Sequence, residues 1–343
     1  MGKLTGWEKE IINNNIISIQ MNLLNTCTSR CETCRKYTWP NVQLDVDTIK
    51  RTLKVLKERF GLDTVVFSGG DPILYKNLIE VLEYCKELDI KFSLITTLIT
   101  KNMDILKYIA ENAYRIHVSI DSMDTELYKK IRGVNGLEIV KENVRFIQNI
   151  RLANKMIPIR ISSTMSKLNY DEPVQLYRFA KFTGCLLNFY KVHTWPEMEM
   201  DSFQLTSFNY QIERIAIDEQ RQCKSITNSR AILDMKYAFD TESAHCKQCY
   251  LPHVNCTINS NGDIYPCCRL LDDNGNYGEQ VKYAYGNIVG KNEEELVAEF
   301  NKRFNNVYPL DCNLCKGCGD RYNGLLSELE NIKNTKERKP LFL

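Results

Sequence analysis

The sequence lacks a strong charge of either sign and any long apolar run. Its 343 residues carry 45 basic and 43 acidic side chains, which gives a net charge of +2. Such a balance provides no electrostatic case for binding nucleic acid or an anionic membrane surface. No apolar run reaches the roughly 20 residues that a membrane-spanning helix needs. We therefore expect no nucleic-acid partner and no membrane partner.

The N-terminus also lacks a targeting signal. Residues Met1 to Gly6 contain no apolar signal-peptide core, and Gly6 stands where an N-myristoylation signal requires Ser or Thr. These absences predict a cytoplasmic protein. The apolar content of 43% is sufficient for a packed core, and the length predicts about two domains.

The 14 cysteines are unevenly distributed. Three lie close together at Cys27, Cys31 and Cys34, and eight follow from Cys246 onward. In a reducing compartment, clustered cysteines indicate metal ligands sooner than disulfides. The distribution therefore predicts an N-terminal domain with one metal centre and a separate cysteine-rich domain.

Strand-like and helix-like segments alternate from residue 15 to about residue 195. The predicted strands are Ile16–Leu24, Thr64–Phe67, Lys91–Thr97, Arg115–Ile120, Ile157–Thr164 and Leu186–Val192. The predicted helices between them are Asp45–Arg59, Asn77–Leu88, Met103–Glu111, Leu137–Ile150 and Glu172–Phe182, and a further helix is predicted around Gln211–Gln222. Repeated βα units predict an α/β fold with a parallel sheet and right-handed crossovers.

The N-terminal cysteines form the run Cys27-Thr-Ser-Arg-Cys31-Glu-Thr-Cys34, directly after the first predicted strand. Three thiolates on one short loop can bind three corners of a 4Fe-4S cube and leave one iron open for another ligand. A zinc site or a disulfide loop is the alternative, although zinc usually takes four ligands. The spacing favours an iron–sulfur cluster.

A second motif, Val65-Val-Phe-Ser-Gly-Gly-Asp-Pro72, is a buried-strand pattern that opens into a glycine turn. Glycines let the backbone approach a ligand closely, and a neighbouring carboxylate can accept hydrogen bonds from an ammonium group. An ordinary βα turn would use the same residues. The motif gains weight because it ends the second predicted strand, shortly after the cysteine run.

Together these motifs resemble the radical S-adenosylmethionine (SAM) superfamily, with Asp71 where the family usually has Glu. The resemblance implies a partial (β/α)6 TIM-type barrel over residues 1–200, with the cluster on the three cysteines and SAM on its open iron. The cofactor-binding residues that it implies are Thr33, Gly69, Gly70, Asp71 and Ser119.

Two positions, one in the cysteine run and one at the end of the third strand, depart from the family, and two residues after the fourth strand have another expected role. Thr33 stands where the family usually has an aromatic residue, and Leu98 follows Thr96-Thr97 where the family usually has Thr-Asn-Gly. We expect Asp121 and Asp124 to cap the helix after the fourth strand.

The cysteines after residue 245 resemble the SPASM/twitch extension of that superfamily. The resemblance implies a connector over 201–245, a SPASM/twitch-like domain over 246–320 and a polar tail over 321–343. It further implies one auxiliary 4Fe-4S cluster held by Cys249, Cys267, Cys312 and Cys315. Substitutes at Cys246, Cys256 or Cys318, a second auxiliary cluster, and a zinc ribbon on Cys246, Cys249, Cys312 and Cys315 stay open.

The resemblance implies reductive cleavage of SAM to a 5'-deoxyadenosyl radical, with electrons from an external donor such as flavodoxin or ferredoxin. We expect oxidation (dehydrogenation) or epimerisation of a small polar, carbohydrate-like substrate, with the auxiliary cluster as electron relay. From the short segment before the first strand we expect no leader-peptide-binding domain. Maturation of a ribosomally made peptide is the alternative, and a non-catalytic iron–sulfur or zinc protein is a third.

No catalytic residue follows from the pattern. His193 follows the last predicted strand and is a weak candidate, since it titrates near neutral pH. An epimerase needs a hydrogen donor, for which Cys85, Cys185 and Cys223 are candidates, although such cysteines are more often simply buried.

Overall fold

The computed structural model describes residues 15–34, 41–192, 196–234, 254–266, 268 and 284–303. The strands in this part are β1 Ser18–Leu24, β2 Thr64–Gly69, β3 Lys91–Thr96, β4 Arg115–Ser119, β5 Arg160–Met165, β6 Leu186–Lys191, β7 Asn255–Ile258, β8 Asp263–Tyr265 and β9 Gly286–Asn287. The α-helices are α1 Val46–Phe60, α2 Leu78–Glu87, α3 Met103–Asn112, α4 Thr125–Arg132, α5 Leu137–Ala153, α6 Pro173–Thr183, α7 Ser202–Arg221, α8 Ser229–Asp234 and α9 Glu293–Asn301. Among the helices so described, none combines the length and the apolar character that crossing a bilayer would require.

Helix α1 illustrates how the local sequence fixes an element. The carboxylate of Asp45 accepts a hydrogen bond from the backbone N–H of Thr48 at 2.8 Å and so caps the first turn. Ile49, Leu53 and Leu56 recur at three- to four-residue spacing and are fully buried. The helix therefore presents one apolar stripe to the core.

The chain divides into two compact units. The first unit comprises Met1–Thr26, Trp39–Ser93 and Ala244–Leu343. Its strands are ordered β2-β1-β7-β8-β9, and β1 pairs in parallel with both neighbours, so that Ser18 lies opposite Thr64 on one side and opposite Asn255 on the other. The short strand β8 pairs in antiparallel fashion with both β7 and β9.

The second unit comprises Cys27–Thr38 and Leu94–Ser243. Its strands are ordered β6-β5-β4-β3, and β5 pairs in parallel with both β4 and β6. Apolar side chains of β6 pack on the helices of this unit: the Phe189 ring lies 6.4 Å from the Phe208 ring of α7 in an edge-to-face arrangement.

The α/β class and the six strand–helix repeats expected from the sequence are confirmed. Helix α7 begins nine residues before the predicted start at Gln211, at Ser202. The reason is a capping box, in which the Asp201 carboxylate and the Gln204 side chain each bond to the other residue's backbone N–H. The division into a barrel, a connector and an auxiliary domain stays a prediction.

Candidate active site

The three motif cysteines lie on the loop that follows β1, within the second unit. Cys27, Cys31 and Cys34 carry reduced thiols, each partly accessible to solvent. The loop turns tightly, because the backbone N–H of Cys34 donates to the carbonyl of Cys31 at 3.0 Å. Such partly accessible thiols on a short turn can reach a bound group.

The thiols do not converge on a single ion. In the described part of the chain, no three side chains of His, Cys, Asp or Glu are grouped so as to hold one metal ion. A zinc ion needs its ligands around one point, whereas the corner irons of a cube each take a separate thiolate. Three thiolates on one short loop are the donors that three irons of a 4Fe-4S cube take, so the residues fit that group.

The C-terminal end of helix α4 is hydrogen-bonded to the cysteine loop. The backbone N–H groups of Arg30 and Glu32 donate to the last carbonyls of the helix, those of Arg132 (2.8 Å) and Ile131 (2.9 Å). The helix ends at Gly133 with a left-handed φ of 65°, and a Cβ there would lie 2.7 Å from the Arg30 carbonyl oxygen. Only glycine allows this close approach.

The guanidinium of Arg132 links the loop to a buried carboxylate. Its Nη1 donates to Cys31 Sγ at 3.6 Å, and its Nε lies 2.7 Å from Asp121 Oδ2. Burial raises the pKa of the Cys31 thiol, while the charge of Arg132 opposes that increase. The arginine thus favours the thiolate that a metal requires.

The expectation that Asp121 caps the helix after β4 is wrong. Asp124 is the cap, since its carboxylate accepts from the backbone N–H of Leu127 at 2.8 Å. Asp121 is 1% exposed and instead accepts from the backbone N–H of Thr164 at 2.8 Å while pairing with Arg132. Burial raises the pKa of Asp121, and the neighbouring guanidinium opposes this. Sequence reasoning missed this pair because it joins a strand end to the far end of a helix.

The glycine motif lies against the end of β1, within the first unit. The N–H of Gly70 donates to the Leu24 carbonyl at 2.6 Å, and that of Asp71 to the Thr26 carbonyl at 2.9 Å. A side chain at Gly70 would collide with the Thr26 carbonyl. The Asp71 side chain is fully buried and accepts from the N–H of Ile73 at 3.4 Å. The role of Gly69, Gly70 and Asp71 as cofactor contacts stays a prediction.

The remaining predicted residues fall in several places. Ser119 ends β4 and Thr33 lies in the cysteine loop, both partly buried. Cys256 lies in β7 and is fully buried, which raises the pKa of its thiol to about 12. His193 and the predicted auxiliary-cluster ligands lie outside the described residues: Cys249, Cys267, Cys312 and Cys315.

The three candidate hydrogen-donor cysteines differ in burial and in the element that carries them. Cys85 is within α2 and Cys185 directly precedes β6, and both are fully buried. Cys223 is exposed just after α7.

Known proteins match both the sequence and the fold. Residues 21–180 match the family model of the radical SAM superfamily. A protein named probable GTP 3',8-cyclase from Thermococcus kodakarensis is 24% identical over 303 residues, which cover 84% of this chain and 94% of that protein. A protein of the same name from Pyrococcus horikoshii is 26% identical over 276 residues, covering 75% and 85%.

Solved structures share the fold at low sequence identity. Streptococcus suis SuiB bound to precursor peptide SuiA matches with a TM-score of 0.66 and 16% identity, covering 98% of this chain and 77% of that one. Another crystal structure of SuiB gives a TM-score of 0.60 and 17% identity, covering 78% of this chain and 64% of that one, just under two thirds. Residues 21–180, just under half of the chain, match the radical SAM domain, and a 4Fe-4S cluster and SAM are the cofactors that this family implies.

Proposed function

We propose that this radical SAM enzyme abstracts hydrogen from a small polar substrate and carries out its oxidation or epimerisation. The observation that carries the proposal is the Cys27–Cys34 loop, whose thiols stand partly exposed while α4 fixes its backbone. When bound, the cluster and SAM supply the one-electron cleavage that yields a 5'-deoxyadenosyl radical.

The chain's own residues bind and orient these groups. Cys27, Cys31 and Cys34 would hold the cluster, and Arg132 favours the thiolate state of Cys31. Gly70 lets the turn after β2 lie against the end of β1, as a cofactor-binding turn requires. An auxiliary cluster on Cys249, Cys267, Cys312 and Cys315 would accept an electron from the substrate radical.

The names of the relatives bear on the substrate. The two archaeal proteins are named for cyclisation of GTP, a small, polar and anionic molecule. At 24–26% identity they support a small polar substrate for this chain more than the particular reaction. Ring closure therefore joins oxidation and epimerisation among the outcomes to be assayed.

The test is anaerobic reconstitution with iron and sulfide, followed by iron counting and detection of 5'-deoxyadenosine after reduction with SAM present. We expect about eight irons per chain for one site cluster and one auxiliary cluster. Cys27→Ala should lose about half of the iron and about 100-fold or more of the cleavage. The matched control is Cys223→Ala, which removes an exposed cysteine outside the motif and should change neither.

The same assay separates the remaining outcomes. Iron with no deoxyadenosine, or zinc in place of iron, would support the non-catalytic alternative and end the enzyme proposal. About four irons with normal cleavage would remove the auxiliary relay and leave the radical chemistry standing.

Peptide maturation is the second candidate. It is favoured by the resemblance of the C-terminal cysteines to a SPASM/twitch extension and by the fold shared with SuiB, a protein crystallised with its precursor peptide. Deuterium transfer into 5'-deoxyadenosine from labelled peptides, but not from labelled sugars or nucleotides, would select it over the first candidate.

A further inference from the structure

The strands β4, β5 and β6 of the second unit present two chemically different faces. On one face the side chains are apolar and buried, as with Val118, Ile161 and Phe189. The alternate positions carry mostly polar side chains, with Leu186 as an apolar exception opposite Arg160. The polar residues that matter here are Arg115, His117, Ser119, Arg160, Ser162 and Asn188. Because strand side chains alternate, these residues share the opposite face.

The parallel register brings the two arginines and His117 together. His117 of β4 lies directly opposite Arg160 of β5, and Ser119 lies opposite Ser162. Neighbouring strands are about 4.8 Å apart, so residues in register are side-chain neighbours. Arg115 precedes His117 by two residues on the same face, and none of the strand residues on this face is acidic.

Arg160 is partly exposed but its Nε is buried, and its surroundings differ from those of Arg132 and Arg151. Arg132 has the carboxylate of Asp121 at 2.7 Å, and Arg151 donates to four carbonyls, among them those of Ile157 at 2.7 Å and Ala113 at 2.9 Å. Within the described part of the chain Arg160 makes no ion pair, and its buried Nε has no hydrogen-bond acceptor. A guanidinium in such surroundings lacks the partner that burial demands.

The electrostatics of the face agree with this geometry. Burial lowers the pKa of Arg160, the nearby Tyr190 phenol opposes this, and the charge of Arg115 lowers the pKa further. Burial also lowers the pKa of His117 to about 3, helped by both guanidiniums, so the imidazole is neutral at physiological pH. A neutral imidazole still offers one N–H donor.

We propose that Arg160, with Arg115 and His117, binds an anionic oxygen group of the substrate, a phosphate or a carboxylate. The planar guanidinium suits two parallel hydrogen bonds to either group. Ser119, the predicted SAM contact, lies two residues beyond His117 toward the carboxyl end of β4, which is roughly 7 Å along the strand. The anion thus anchors one end of a substrate whose remainder extends toward the strand ends. The assignment to substrate rests on the proposed function, whereas the binding itself does not.

The test is calorimetric titration of the reconstituted holoenzyme with pyrophosphate at constant ionic strength. We expect saturable binding that Arg160→Gln weakens at least tenfold. Arg178→Gln is the matched control, since it removes the same charge from an exposed position on α6, and it should stay within twofold of the wild type. Equal affinity in all three proteins would overturn the proposal.

A second titration with succinate distinguishes the two sources of the anion. Arg160-dependent binding of pyrophosphate alone assigns a phosphate group, and that of succinate alone assigns a carboxylate. Either result supports the site. Absence of saturable binding of both probes to the wild type would overturn it.

Ser162→Asp guards against misreading a folding defect. It places a carboxylate on the same face, two residues from Arg160, and should raise the melting temperature while it abolishes pyrophosphate binding. A misfolded protein would lose both thermal stability and pyrophosphate binding. The comparison of the wild type with Arg160→Gln and Arg178→Gln then decides. A stable Ser162→Asp protein with unchanged affinity would contradict the proposal.

Failure here and failure of the proposed function give different results. Arg160-dependent binding without SAM cleavage would retain the anion site and remove the radical chemistry. SAM cleavage without Arg160-dependent binding would retain the radical chemistry and remove the anion site.

Discussion

Arg132 lies between two functional neighbours, with its Nε 2.7 Å from the buried carboxylate of Asp121 and its Nη1 3.6 Å from the sulfur of Cys31. The pair joins the end of β4 to the cysteine loop. Because Asp121 also accepts from the backbone of β5, the loop is coupled to two strands of its own unit.

Removal of the guanidinium should destabilise the fold more than removal of both charges. Arg132→Met leaves Asp121 buried without its partner, which we expect to cost about 3–5 kcal/mol of unfolding free energy. The double variant Arg132→Met/Asp121→Asn should lose distinctly less than the sum of the two single changes. Urea-induced unfolding gives the unfolding free energy of the wild type, the two single variants and the double variant. Strictly additive losses would show that the two groups do not interact.

The same arginine should raise the reduction potential of the loop's cluster. A hydrogen bond and a positive charge at a ligating sulfur stabilise the reduced cluster. We therefore expect a lower potential in Arg132→Met than in the wild type and an intermediate one in Arg132→Lys. A redox titration followed by electron paramagnetic resonance gives the values, and an unchanged midpoint in Arg132→Met would refute the link.

Gly133→Ala should destabilise the protein by more than the free-energy cost of a left-handed φ, because it also disturbs the cysteine loop. A left-handed φ costs an ordinary residue about 1–2 kcal/mol, which Gly290→Ala, at φ 71° with no atom within 4 Å of its Cβ, should show by itself. Gly133→Ala adds the collision with the Arg30 carbonyl, so we expect a larger loss of stability and less bound iron. Equal effects of the two substitutions would mean that the loop adapts freely.

Buried thiols should resist alkylation while Cys223 reacts. Burial raises the pKa of Cys185 to about 12 and holds that of Cys85 well above its usual range. In native protein at pH 8, iodoacetamide should modify these two about 100-fold more slowly than Cys223. Peptide mass spectrometry over time measures this, and rapid labelling of Cys185 would return it to the candidate hydrogen donors.

If the group that Arg160 binds is a phosphate, the affinity for a nucleotide should depend on the nucleotide's phosphates. We expect GTP to bind at least tenfold more tightly than guanosine, and Arg160→Gln should abolish that difference by weakening GTP alone. Competition with pyrophosphate provides the readout. Equal weakening of GTP and guanosine would point to a general disturbance of the protein.

The elements that sequence reasoning found are those with a local signal. The six strands are short apolar runs between turn residues, and the cysteine loop is marked by its spacing. The local sequence suggests a helix cap for Asp121, because an Asp just before a helix commonly caps it. Its actual partner, Arg132, stands eleven positions further along the chain and gives no local signal. Arg160 and His117 read as ordinary strand residues, since their proximity arises only from the register of β4 with β5.

Strand β1 has consequences for synthesis of the chain. One of its two neighbours, β7, begins at Asn255, so the pair Ser18 and Asn255 closes only after most of the polypeptide has left the ribosome. Until then one edge of β1 presents unpaired backbone groups, which nascent or truncated chains would offer to one another. Fragments that end before β7 should therefore aggregate, and slow elongation should favour chaperone capture.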